Sequence, residues 1–180
     1  EGREVFFRLV SKADVVVENF RPGVMERLGL GFEKLKEINP SLVYCAISGF
    51  GQNGPLKDSP AYDQIIQGLS GVMSVTGNDE SGPLRVGFPM ADTIGGITAA
   101  LGITASLSKP EREAVFIDVS MLESTMASMG WVISKGHFPR QPLSDRLVRR
   151  HRHRHRQPWQ PPSRFLPANV LSNPRVRPCW

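Results

Sequence analysis

Gly49, Gly51 and Gly54 stand at the spacing G-x-G-x-x-G in AISGFGQNGP, directly after the apolar run LVYCAIS. At the end of a strand and the start of a helix, such glycines let backbone N–H groups close on a pyrophosphate, which would make the segment a dinucleotide fingerprint. That chemistry needs the third glycine in the first turn of a helix, and an acid near the end of the next strand about 20 residues on. Neither condition is met. Pro60 interrupts any helix started at Pro55 within its second turn, and no clear strand ending in an acid follows at that distance. The segment therefore reads as a glycine-rich loop leaving a strand. Asp92, in FPMADTIGG, stands just before a predicted helix over 93–107. There the helix dipole and free N–H groups favour a carboxylate, and position alone gives Asp92 the role of a helix cap.

The elements that must position these residues alternate between two apolar periods. EVFFRLV (4–10) carries a helical stripe, DVVVE (14–18) is a β-branched run of the kind buried strands use, and VMERLGLGFEKLKEI (24–38) returns to helical spacing. LVYCAIS (42–48) predicts a strand, Asp63 to about Met73 a helix, AVFIDVS (114–120) a strand, and Met121 opens a final helix. Ser120 with Glu123 makes a capping box for that last helix. Strands separated by helices imply an α/β fold, a parallel sheet with right-handed crossovers and flanking helices.

Composition narrows the class. The 180 residues are 40% apolar and 8% aromatic, as expected of a soluble globular chain. Apolar stretches are broken by Gly, Ser or Asp before about 18 residues, so no membrane span is expected, and no basic and apolar leader opens the sequence. Cys45 and Cys179 are too few and too far apart for a disulfide framework or a zinc site, so a reducing, cytoplasmic setting is the expectation, with no metal.

The net charge of +5 averages two unlike pieces. Residues 1–136 hold 12 Lys and Arg against 16 acids and contain every glycine, whereas residues 137–180 hold 10 Arg against one acid, all four His and more than half of the prolines. A tail containing RRHRHRHRQP sustains neither apolar period and is expected to be disordered, loosely attached or out of frame. Its arginines leave open a basic arm for nucleic acid or an anionic surface. Its histidines leave open a metal, although His151, His153 and His155 alternate at a spacing that fits no helical ligand pair.

Read together, DVVVENFRPGVMERLGLGFEKLKEINPSLVYCAISGFGQNGP, AYDQIIQGLSGVMSVTG and VGFPMADTIGGITAALGITASL resemble the class III coenzyme A transferases of the CaiB/BaiF type. That family includes formyl-CoA transferase, carnitine CoA-transferase and α-methylacyl-CoA racemase. The resemblance runs from Glu1 to about Ser134 and places residues 1–136 in the family's large, Rossmann-like domain. It implies an enzyme that moves coenzyme A from an acyl-CoA to a small carboxylic acid such as succinate or oxalate, with no further cofactor. It also implies that Asp92 is the nucleophile, passing through an acyl-aspartyl anhydride to an aspartyl-CoA thioester. Gly95 and Gly96, in the first turn of the predicted helix, would let the thioester approach the backbone. Asn19, Phe20, Arg21 and Arg27 match positions that contact coenzyme A, with Arg suited to phosphate and Phe to the adenine ring. Tyr62 and Asp63 match the segment beside the reacting acyl group. The racemase branch places a His where Tyr62 stands, and a phenol with an ordinary pKa of about 10 cycles protons poorly near neutrality. Transfer is therefore the first reading and racemisation the second.

Departures from the pattern set further expectations. The family's chains begin earlier, with the first strand of the sheet, and continue into a second domain and an interlocked homodimer. SKPEREA (108–114) replaces a basic, glycine-rich turn. The chain thus reads as a fragment, weakly folded and with little or no transferase activity. A reading of another class, a non-catalytic α/β binding protein with a basic arm, predicts nucleic-acid binding that weakens steeply with salt.

Overall fold

The computed structural model describes residues 1–77, 80, 81 and 83–137. The expectations for the Arg- and His-rich tail lie almost wholly outside these residues. Glu1–His137 forms one unit, in which β1 (Val15–Glu18), β2 (Val43–Ser48) and β3 (Val115–Ser120) pair in parallel in that order. Val43 faces Val15 on one side and Val115 on the other. Parallel neighbours require long crossovers, and helices supply them. β1 reaches β2 through α2 (Val24–Arg27) and α3 (Phe32–Ile38), and β2 reaches β3 through α4 (Asp63–Leu69) and α5 (Met90–Leu107). α1 (Gly2–Val10) precedes the sheet, and α6 (Met121–Ser128) and α7 (Gly130–His137) follow it.

Central position explains the apolar run of β2. Alternate residues point to opposite faces: Leu42, Tyr44 and Ala46 pack with Val10, Met25 and Leu35, whereas Cys45 packs with Ala99 of α5 and Val119 of β3. Tyr44 stacks on Phe116 with ring centroids 5.5 Å apart, and Phe32 tilts against the same ring. A third cluster at the carboxyl ends of the strands joins Ile66, Ala91 and Met121. This last cluster seats α4, α5 and α6 beneath the candidate site.

Three predicted helices need correction. The helix predicted over 24–38 is two helices, because Gly29 adopts φ +71° and the chain re-enters helical geometry only after Gly31. That left-handed conformation is open to glycine at little cost. The helix predicted from Asp63 to about Met73 ends at Leu69, where Gly71 at φ +87° turns the chain into a single 3₁₀ turn, Val72–Val75. The third helix begins at Met90 rather than Thr93, which places Asp92 inside the first turn. Gly95 and Gly96 then fall in the second turn, and Gly95 serves packing: a Cβ there would stand 3.2 Å from the Met121 Cγ. Gly96 faces open space.

α5 also revises the reading of apolar stretches. It has 18 residues at a mean hydropathy of 1.3, long and apolar enough to cross a membrane by length and composition. In this fold it meets its neighbours through Ala91, Gly95 and Ala99, spaced by four, and leaves Ile97 and Leu101 exposed.

Candidate active site

The carboxyl ends of parallel strands gather loops into a crevice, and three segments meet there. The first is the turn after β1. Glu18 Oε2 accepts the Phe20 N–H at 2.6 Å, and Asn19 Nδ2 donates to the Ile47 carbonyl at 2.7 Å. These bonds pin the turn to the end of β2. Burial raises the Glu18 pKa, a shift partly offset by the bond from Phe20 and reinforced by Glu26. Phe20, pinned only by its backbone, leaves its ring 54% exposed.

The second segment is the glycine loop. A Cβ at Gly49 would overlap that of Ala61, so only glycine lets the two ends of the loop pass. Gly51 takes φ +81°, which turns the Gln52 N–H toward β3, where it donates to Asp118 Oδ2 at 3.0 Å. The Leu122 N–H at the head of α6 donates to the Gly49 carbonyl at 3.0 Å. These glycines serve close approach and turning, and no helix begins in the loop, as expected from Pro60.

The third segment carries Asp92. At the head of α5, Asp63 of α4 is buried and reaches across 28 residues of sequence to accept the Ala91 N–H at 2.8 Å and, more weakly, the Asp92 N–H at 3.4 Å. Gln67 Nε2 donates to the other Asp63 oxygen at 2.7 Å. The helix cap read at Asp92 is thus supplied by Asp63. Ser120 caps α6 as expected, its hydroxyl accepting the Glu123 N–H at 3.2 Å. The Asp92 carboxylate is exposed and makes no hydrogen bond among those found for the described residues. Its pKa is raised, first by desolvation and then by the Asp63 charge. The expectation that the helix terminus would favour the anion is therefore corrected: the Ala91 and Asp92 N–H groups are committed to Asp63, and those of Met90 and Thr93 to the Phe88 and Pro89 carbonyls.

These segments enclose a cleft of about 300 Å³. Of the residues singled out by sequence, Asn19, Phe20, Arg21, Tyr62, Asp63 and Asp92 line it. Arg27 does not; its guanidinium lies against Gly23. Tyr62, 68% exposed at the head of α4, stands open to solvent. Lys57 and Ser48 also line the cleft and escaped the sequence reading. Lys57 left a detectable trace as the lone cation of the glycine-rich loop. Ser48 left none; its hydroxyl is buried with no partner among the described residues. Arg21 and Lys57 give the cleft two cations opposite in sign to Asp63 and Asp92, and among the described residues no group of three or more His, Cys, Asp or Glu is placed to hold a metal.

The profile of CoA-transferase family III matches residues 1–168. The chain belongs to this family. Among curated relatives it is 49% identical over 128 residues to acetyl-CoA:oxalate CoA-transferase of Acetobacter aceti, covering 69% of the chain and 33% of that protein. It is 35% identical over 134 residues to human succinyl-CoA:glutarate CoA-transferase, covering 73% and 31% respectively. A CaiB/BaiF family protein from Brucella suis superposes with a TM-score of 0.71 at 36% identity, over 77% of this chain and 38% of that one. The chain thus spans about a third of the length of these curated relatives.

Proposed function

We propose that this chain supplies the nucleophile and part of the thioester-binding surface of an enzyme that moves coenzyme A from an acyl-CoA to a small carboxylic acid. The observation that carries the reading is the contrast between two neighbouring acids. Asp63 is buried and bonded through both oxygens, whereas Asp92, in the first turn of α5, presents to the cleft a carboxylate with no hydrogen bond found among the described residues.

In the reaction proposed, an Asp92 oxygen attacks the thioester carbonyl carbon, the C–S bond breaks and the coenzyme A thiolate leaves a mixed anhydride. The thiolate then attacks the Asp92 carbonyl, releasing the donor acid and forming an aspartyl thioester. The acceptor carboxylate repeats the two steps in reverse order and leaves with the coenzyme, restoring Asp92. The partial desolvation that raises the Asp92 pKa leaves its anion less well solvated than a free carboxylate, while its exposure leaves it open to the thioester. Arg21 and Lys57 suit the phosphates of coenzyme A, Phe20 its adenine ring, and Tyr62 the acyl group. The related enzymes act on oxalate and glutarate by name, which supports a small acid as acceptor.

Intact-mass measurement after incubation with succinyl-CoA tests the proposal. Adduct formation is read in place of turnover because the chain spans a third of its relatives' length. A covalent adduct is expected on the native chain and none on Asp92→Asn. An adduct of equal yield on the variant would refute the assignment.

A further inference from the structure

Gln67 is fully buried, lies on α4 one turn after Asp63, and is absent from the residues that line the cleft. Burying an amide costs free energy unless its donors and acceptor are met, and those of Gln67 are met by a single neighbourhood. Its Nε2 donates to Asp63 Oδ2 at 2.7 Å and to the Phe88 carbonyl at 3.3 Å, and its Oε1 accepts the Val86 N–H at 2.8 Å. The segment Val86–Pro89 has no regular secondary structure and leads directly into α5, where Asp92 sits in the first turn.

We propose that Gln67 is a positioning residue for the Asp92 nucleophile, and this rests on the reading of Asp92 given above. Its amide fixes Asp92 by two routes. One holds the incoming strap at Val86 and Phe88; the other orients the Asp63 carboxylate that accepts the Ala91 and Asp92 N–H groups. The amide restrains the irregular chain that enters α5, beside the apolar contact between Ile66 of α4 and Ala91. A displacement of about 1 Å at a reacting atom costs up to about a hundredfold in rate.

The test uses Gln67→Met, close in volume and without the polar atoms, and Gln67→Glu, close in shape. The introduced carboxyl cannot donate to both Asp63 and Phe88 in either protonation state. For each variant three quantities are measured beside the native chain: the rate of adduct formation at saturating succinyl-CoA, the dissociation constant of coenzyme A, and amide hydrogen exchange. The proposal expects the rate to fall about tenfold to a hundredfold with the dissociation constant held within about twofold. Exchange should quicken at Val86, Ala91 and Asp92 while Tyr44–Ile47 of β2 stay protected. An unchanged rate in both variants overturns the proposal. So does a loss of protection spread evenly over β2 and α5 in both, which would make Gln67 a plain core residue. If the native chain forms no adduct, the nucleophile reading fails instead. The exchange pattern then decides the Gln67 restraint by itself, and unchanged exchange at Val86 and Ala91 overturns it.

Discussion

Replacing Asp63 by Ala removes, in one change, the cap of α5 and the partner of a buried amide. The carboxylate accepts the Ala91 N–H at 2.8 Å, the Gln67 Nε2–H at 2.7 Å and the Asp92 N–H at a long 3.4 Å. Loss of a helix cap typically costs about 1 kcal/mol. A buried donor left without an acceptor costs about 1–3 kcal/mol. Gln67 retains its bond to the Phe88 carbonyl and Asp92 is exposed, so their shares fall at the low end. Asp63→Ala should therefore lose about 2–3 kcal/mol. Asp63→Asn keeps an acceptor for Ala91 but turns an N–H₂ toward Gln67 Nε2, and should lose about 1–2 kcal/mol. Urea unfolding reads both as shifts in midpoint at constant slope. A loss below about 1 kcal/mol in Asp63→Ala, or an equal loss in Asn and Ala, would refute the cap as described.

Gly49→Ala forces a Cβ into Ala61; it should cost about 1–3 kcal/mol by urea unfolding and weaken coenzyme A binding by calorimetry. Tyr44 buries a hydroxyl with no partner among the described residues, so Tyr44→Phe should leave stability unchanged or raise it by up to about 1 kcal/mol. Arg21→Ala and Lys57→Ala should each raise the dissociation constant of coenzyme A about tenfold, with a salt dependence shallower than that of the native chain. In the proposed reaction only the ionised form of Asp92 attacks, and its pKa lies above the ordinary value through burial and then Asp63. Adduct formation should therefore fall as pH drops through that raised pKa, and Asp63→Asn should move the fall to lower pH. Stability follows the opposite sense, because the folded state holds this proton more tightly than the unfolded one and loses that contribution as pH rises through the folded value.

Local pattern revealed the strands because consecutive β-branched and apolar residues favour extended chain. That chain is buried in VYCAIS at the centre of the sheet but only half-buried in VVVE at its edge, where Val17 is exposed and the buried strand expected from DVVVE is corrected. It overran two helices because apolar spacing continues across Gly29 and Gly71, whose positive φ ends a helix without interrupting the stripe. The start of α5 was hidden for a different reason. Its cap comes from Asp63, 28 residues away, so no capping signal stands beside Met90. The candidate site was legible only through the resemblance of its segments to the family, since position alone gave Asp92 the role of a cap. The ENFRP turn, Tyr62 and Asp92 do meet in the cleft, but Gln67 carries no mark in an amphipathic helix that would distinguish a buried amide from a solvated one. Arg27 shows the converse: it follows the turn in sequence, yet helix α2 turns it away from the cleft lining.

The most direct measurement is the location of the covalent intermediate. The chain is incubated with succinyl-CoA, quenched with hydroxylamine, digested and sequenced by tandem mass spectrometry. Hydroxylamine converts an aspartyl thioester or anhydride to a hydroxamate at the carboxyl that was activated. A hydroxamate is expected on Asp92, in the peptide containing FPMADTIGG. A hydroxamate on Asp63, Glu18 or Asp118 with Asp92 unmodified would contradict that expectation.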